Sequence, residues 1–174
     1  ARIGSGGFGD VYRGVINHTD VAVKVLGARG MQGEREFLAE LEVLSKVLHP
    51  NIAMLLGCCR EEGRQCLVYE LMDGGSLEAR LRPSEGEPPL PWGARLSIAI
   101  DATRALCFLH GCPGQCIMHH DIKPANILLD SRHTAKISDV GLARVLLRSD
   151  PRNSGAGERA PDGAGEALGA RDRG

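Results

Sequence analysis

The sequence predicts an α+β fold, with a β-rich first portion joined to a mainly helical second one. Three observations carry this. Short segments in which apolar and polar residues alternate crowd residues 8–26 and 53–70, and a period of two is the signature of a strand. One amphipathic segment interrupts them at 33–48, where Phe37, Leu41, Leu44 and Leu48 fall on a single helical stripe. A longer, apolar-rich helical segment follows at 92–110, after which strand-length pieces return around polar residues.

Residues 8–16 and 21–26 are predicted strands. In "VAVKVL", Val21, Val23 and Val25 face one way and Ala22 and Lys24 the other. Glu40 lies at the edge of the apolar stripe of helix 33–48. "HPNI" at 49–52 ends that helix, because Pro50 disfavours a helical residue before it. Two short strands are expected near 53–58 and 65–70. "MDGGSLEARL" turns the chain at Asp73-Gly74-Gly75, and Ser76 is placed to N-cap a short helix. The Pro-rich stretch 82–91 is a surface loop. On helix 92–110, Leu96, Ile100, Thr103 and Cys107 share a face. "ANILLD" and "AKIS" are short strands. From residue 148 onward the chain is Gly, Ala, Arg and Asp with almost no large apolar residue. Such a segment cannot offset its ordering entropy, so 148–174 is expected to be disordered.

The 174 residues suffice for one domain or two small lobes, and 43% of them are hydrophobic, so a core can form. With 21 basic against 22 acidic residues the net charge is −1, which argues against a nucleic-acid or membrane electrostatic footprint. Aromatic content of 3% argues against base-stacking platforms. The six cysteines include no C-x-x-C pair and sit mostly in apolar runs, so they are expected to be reduced, mainly buried thiols of a cytoplasmic protein. No apolar run reaches the ~18 residues of a membrane span. The chain opens inside a motif without an initiator Met, and is expected to be an excerpt.

Four motifs carry chemistry. In "GSGGFGDV", Gly4, Gly6, Gly9 and Val11 are compatible with a dinucleotide-binding turn, another phosphate loop or a plain hairpin. A dinucleotide motif runs from strand into helix, whereas here a strand follows. A glycine-rich β-hairpin lets backbone N–H groups approach phosphates, since no Cβ intervenes. Lys24 shares a face with Ala22 just after that hairpin, where a cation can meet phosphates, and Glu40 can hold it. "HHDIKPAN" offers Asp121, Lys123 and Asn126, or else only a turn rich in Asx and Pro. In "KISDVGLAR", Asp139 ends a strand. A carboxylate beside an Asn amide can hold Mg²⁺, which takes few protein oxygens together with phosphate oxygens. Asp121 can accept a proton from an attacking hydroxyl.

Glycine loop, "VAVK", helix Glu, "HxDxKxxN" and "DxG" occur here in the order seen in eukaryotic protein kinases, and the resemblance covers residues 3–144. "HPNIAMLLGCC", "LVYELMDGGSLEARL", "PPLPWGARLSIAIDATRALCFLH" and "NILLD" resemble plant receptor-like and receptor-like cytoplasmic kinases of the Pelle/interleukin-receptor-associated group. "PPLPW" and "KISDVGLAR" are similar to the kinase domains of plant U-box proteins.

The resemblance implies a two-lobed kinase-like fold: small lobe over 1–72 with its first strand incomplete, the first part of a truncated large lobe over 73–147, and a tail over 148–174. It implies that Ile3, Gly4, Ser5, Gly6, Gly7, Phe8, Gly9, Asp10 and Val11 cover ATP. Lys24 contacts the α- and β-phosphates, held by Glu40. Tyr69 is the gatekeeper, the backbone of Glu70 and Met72 bonds adenine, and Val11, Ala22 and Leu128 sandwich the base. Asp121 is the catalytic base, Lys123 stabilises the transferring phosphoryl, and Asn126 and Asp139 hold Mg²⁺. Leu44, Leu55, His119 and Val140 stack as an internal spine. Lys123 two residues after Asp121 resembles the Ser/Thr class.

Three departures matter. His120 replaces the usual Arg, which pairs with a phosphorylated loop through a bidentate fork that histidine cannot form. This implies altered regulation with the chemistry kept, as in the family's non-RD members. A metal site at His119-His120 lacks a third ligand. Val140 replaces the usual Phe and fills less volume. After Arg144 the family's "APE" motif and further helices are not recognisable, Ala160-Pro161-Asp162 being a decayed candidate, so the apolar face of 93–110 is expected to be exposed. The implied function is an ATP-dependent protein Ser/Thr kinase acting on protein substrates in signalling, without nucleic acid and without membrane contact from this segment. The alternative is an inactive nucleotide-binding or protein-interaction module, and an oxidoreductase is disfavoured by the strand after Gly9.

Overall fold

In the computed structural model, residues 1–6, 9–26, 31–61, 64–112 and 115–147 are described. The expected disordered tail, and Gly7 and Phe8 of the glycine segment, lie outside them. The alternating segments build one five-stranded antiparallel sheet from β1 (Arg2–Gly6), β2 (Gly9–Ile16), β3 (Thr19–Leu26), β4 (Leu55–Glu61) and β5 (Arg64–Glu70), in the order β1-β2-β3-β5-β4. The β2–β3 connection is two residues long. Asn17 and His18 both take positive φ, 48° and 63°, the backbone a two-residue primed turn needs to match strand twist.

Register decides which side chains meet. Lys24 lies opposite Val11 on one neighbour and Leu67 on the other, while Ala22 lies opposite Tyr69. Directly opposed residues share a face, so Val11, Ala22, Lys24, Leu67 and Tyr69 all project from one side of the sheet. Helix α1 (Met31–Leu44) belongs to the core that forms there, with Phe37, Val43, Leu44, Leu67 and Tyr69 in one buried cluster. The predicted helix to residue 48 overshoots. The chain turns at Ser45 and Lys46, Lys46 N–H donates to the Val43 carbonyl at 3.1 Å, and Leu48 is left 78% exposed.

Ser76 caps α2 (Leu77–Leu81) as predicted, its Oγ accepting the Ala79 N–H at 3.2 Å. Helix α3 (Trp92–Gly111) is the longest element. Its core-facing residues are Ile98, Ala105 and Leu109, not the predicted stripe: Leu96 and Ile100 are 52% and 43% exposed, and Thr103 and Cys107 are exposed too. Both stripes are apolar at helical spacing, so periodicity alone cannot choose between them. The exposure expected for 93–110 is thus found on that stripe.

Behind α3 stand β7 (Gln115–Met118), a 3-10 turn (Pro124–Asn126), β8 (Ile127–Leu129) and β9 (Ala135–Ile137), with β10 (Arg144–Leu147) pairing back onto β7. A short β6 (Gly75–Ser76) completes the β6-β8-β9 sheet. The loop after α1 stitches the two halves together: Ala53 N–H donates to the Ile137 carbonyl and Ile137 N–H to the Asn51 carbonyl, both at 2.9 Å. β6, β7 and β10 were not among the strands expected from the sequence. The cysteines correct another expectation. All six are free thiols as predicted, but Cys58, Cys59 and Cys107 are exposed and only Cys112 is buried. Cys58 and Cys59 lie on β4, an edge strand with no neighbour to cover them.

Candidate active site

Three segments distant in sequence converge on Lys24. β3 delivers the lysine, α1 delivers Glu40, and the loop after β9 delivers Asp139. The Lys24 Nζ lies 2.8 Å from Glu40 Oε2 and 2.8 Å from Asp139 Oδ1. Asp139 takes φ 63°, a left-handed backbone that Asp tolerates better than most residues. Burial alone would lower the Lys24 pKa, but Glu40 and then Asp139 outweigh it and hold the pKa above the ordinary lysine value. Burial pushes the Glu40 carboxyl up, against the pull of Lys24. Tyr69 adds a second donor: its hydroxyl donates to Glu40 Oε1 at 2.5 Å. Burial, then Glu40, raise the Tyr69 phenol well above its usual value, so it stays a donor. Glu40 is 1% exposed and has both oxygens matched, which a buried carboxylate requires.

The second cluster is the "HHDIKPAN" loop. Asp121 Oδ2 accepts from Lys123 Nζ at 2.7 Å and from Asn126 Nδ2 at 2.9 Å. The Lys123 bond is the main reason the Asp121 carboxyl lies below the usual range. Asn126 Nδ2 also donates to the Asp121 carbonyl at 2.9 Å, and the Asn126 carbonyl accepts from Ser138 N and Oγ. That places Asn126 beside the residue preceding Asp139. With its NH₂ turned to Asp121, the amide oxygen of Asn126 is the group left for a cation.

His119 joins the two clusters. Its Nδ1 accepts the Asp121 N–H at 3.2 Å, so Nε2 carries the proton and donates to the Ser138 carbonyl at 3.1 Å. Burial lowers the His119 pKa, consistent with this neutral tautomer. The imidazole therefore contributes stability that is complete above the unfolded histidine pKa of ~6.5 and is lost as pH falls through its lower folded pKa. Stability measured by urea denaturation should decline below about pH 6.5 more steeply in the wild type than in a His119→Gln variant.

The glycine segment behaves as the hairpin reading requires. Gly9 has φ 133°, and a Cβ there would come within 2.2 Å of the Val25 carbonyl oxygen, so only glycine fits. Gly4, Ser5 and Gly6 lie on β1 opposite Val11, Asp10 and Gly9, while Ile3 is exposed. Val11, Ala22, Lys24 and Tyr69 share the sheet face already described. Leu128 lies on β8 opposite Lys136, and Met72 is buried just beyond β5. Of the expected spine, Leu44 and Val140 are buried in the main core, Leu55 packs against it, and His119 is 2% exposed.

One tie escaped the sequence reading. The Glu70 carboxylate takes Lys136 Nζ on both oxygens at 2.7 Å and the Met54 N–H at 2.8 Å. It binds the end of β5 to β9, three residues before Asp139. Partners 66 residues apart leave no pattern in a sequence. Among the described residues no group of three or more His, Cys, Asp or Glu side chains could hold a metal by themselves.

The sequence matches the model of the protein tyrosine and serine/threonine kinase family over residues 1–162. The chain belongs to this family. It is 47% identical over 149 residues to U-box domain-containing protein 52 of Arabidopsis thaliana, covering 86% of this chain and 17% of that protein. It is 42% identical over 153 residues to U-box domain-containing protein 70 of Oryza sativa subsp. japonica, covering 88% of this chain and 19% of that protein. It is 46% identical over 156 residues to the probable serine/threonine-protein kinase PBL17 of Arabidopsis thaliana, covering 85% and 35%. The chain therefore spans under a fifth of the length of the first U-box relative and about a third of the PBL17 kinase. The sheet, α1 and the helical second part are those of the kinase domain. No helix among the described residues is long and apolar enough to cross a membrane.

Proposed function

We propose that this chain is a protein serine/threonine kinase domain that uses ATP with Mg²⁺ to phosphorylate Ser and Thr hydroxyls of proteins in signalling. One observation carries the reading: Lys24 is held 2.8 Å from both Glu40 and Asp139, on the sheet face that follows the glycine hairpin. The donor set fits a magnesium nucleotide. Around the two clusters two ammonium groups meet three carboxylates, an excess of negative charge that suits a divalent cation. Asp139 and the amide oxygen of Asn126 supply few, hard oxygen ligands, as Mg²⁺ prefers. Held there with ATP, Mg²⁺ would supply positive charge to neutralise the phosphates.

The chain's own groups then divide the work. Gly4, Ser5, Gly6, Gly9, Asp10 and Val11 cover the nucleotide, and backbone groups of Glu70 and Met72 bond the base between Val11, Ala22 and Leu128. Lys24 turns from Asp139 toward the α- and β-phosphates while Glu40 and Tyr69 keep it in place. Asp121, ionised at neutral pH, orients the attacking hydroxyl and accepts its proton. Its low pKa makes it a weak base, so orientation is the larger contribution. Lys123 offers its charge to the transferring phosphoryl. Phosphoryl transfer demands positioning and charge neutralisation more than covalent help. His120, exposed and at φ 66°, stands where the family's Arg would grip a phosphorylated loop and cannot form that bidentate fork. Altered regulation with the chemistry kept follows.

Calorimetric titration of the purified chain with ATP tests the binding half. Binding that needs Mg²⁺ and is weakened at least tenfold by Asp139→Asn is expected. Binding of ATP indifferent to both Mg²⁺ and Asp139 would refute the assigned ligands. Magnesium-dependent binding without transfer would instead favour an inactive nucleotide-binding module.

A further inference from the structure

The outer face of the small sheet carries a pair of thiols with no part in the site above. Cys59 on β4 lies directly opposite Cys66 on the antiparallel strand β5. Along β5 successive side chains alternate. Leu67, opposite Lys24, is fully buried on the inner face, so Cys66, opposite Val25, points outward. Val25, in the same row, is 36% exposed, and Cys59 is exposed as well. Opposed residues of an antiparallel pair stand about 4.5–5.5 Å apart at Cα, inside the roughly 4.4–6.8 Å that a disulfide spans. The pair also sits at the edge of the sheet, and among the described residues no further strand pairs with β4.

We propose that Cys59 and Cys66 are an oxidation site, a dithiol that hydrogen peroxide converts to a cross-strand disulfide within the folded domain. The Cys59 thiolate attacks one peroxide oxygen, the O–O bond breaks, and the products are a sulfenic acid and hydroxide, which takes up a proton to leave as water. The Cys66 thiolate then attacks the Cys59 sulfur, the S–O bond breaks, and the hydroxyl leaves as a second water. Two thiols are oxidised by two electrons and one peroxide is reduced to two waters. The neighbouring strand supplies the resolving thiol without backbone rearrangement, so the reaction stops at the disulfide. Slight desolvation, then Glu61, raise the Cys59 pKa, so alkaline pH favours the first step. Because the pair lies on the face opposite Lys24, the disulfide leaves nucleotide binding intact. This inference does not depend on the kinase reading.

The test is peroxide treatment of the purified full chain, then alkylation of remaining thiols and mass spectrometry of intact protein and peptides. The expected product carries alkyl groups on four of the six cysteines and has lost two hydrogens. The linkage persists in Cys58→Ser and disappears in both Cys59→Ser and Cys66→Ser. Circular dichroism confirms that each variant is folded. A linkage that survives Cys59→Ser and vanishes in Cys58→Ser overturns the assignment, as does progression to sulfinic acid at Cys59 without a disulfide. Equal yield in 8 M urea overturns it too, since closeness in sequence would then suffice.

Discussion

Replacing Lys24 with Met removes phosphoryl transfer: kcat/KM should fall by on the order of 10²–10³-fold or more. The reason is electrostatic. Among the described residues Lys24 is the one cation in contact with both Glu40 and Asp139, and methionine keeps most of its length while deleting its charge. The substitution also strands Glu40, which is 1% exposed. Breaking a buried pair costs about 3–5 kcal/mol. Here Tyr69 still donates to one oxygen, and a carboxyl already raised by burial can take a proton, so the cost should sit at the low end. Steady-state kinetics normalised to the folded fraction separate the two effects. Asp139→Asn, isosteric and at a less buried position, should lower transfer comparably with a smaller loss of stability. A Lys24→Met protein that is folded and turns over at the wild-type rate would remove Lys24 from the site.

The second large effect is at Asp121. Asp121→Asn should lower kcat by about 10²–10⁴-fold while leaving KM for ATP near the wild-type value. Asp121 bonds Lys123 and Asn126 and makes no bond with Lys24. Asparagine can still accept from Asn126 Nδ2, so the loop keeps its shape, yet it can neither take a proton nor hold Lys123 by charge. The Lys123 side chain is 47% exposed, so losing that bridge costs little stability. A change confined to KM for ATP would instead place Asp121 among the nucleotide ligands.

Much of this site was legible because its parts obey local rules. "VAVK" alternates, so Lys24 had to share a face with Ala22. Glu40 stood on an apolar stripe where a carboxylate needs a partner. Asp139 ended a strand, and the glycine hairpin ran into strand and not helix. What escaped depended on tertiary context. The Tyr69–Glu40 bond and the Glu70–Lys136 tie join residues whose proximity follows from sheet order and from the loop at 51–54, not from spacing. The core face of α3 was ambiguous because both 96-100-103-107 and 98-105-109 are apolar. The exposure of Cys58 and Cys59 came from β4 being an edge strand, which requires the strand order to be known. Leu48 left the helical stripe because the chain had already turned at Ser45.

Beside His120, Asp121, Lys123 and Asn126 remain bonded to one another. On the proposed reading, the substitution at His120 alters regulation and leaves these groups in place.

The most direct measurement is transfer itself. The purified chain is incubated with Mg²⁺ and ATP labelled at the γ-phosphate together with a generic Ser- and Thr-containing protein, and the labelled residues are identified after acid hydrolysis. Label on phosphoserine and phosphothreonine, dependent on Mg²⁺ and absent from Lys24→Met and Asp121→Asn, is the predicted result. Saturable Mg·ATP binding with no label on any hydroxyl, or label equal in the wild type and both variants, would contradict it.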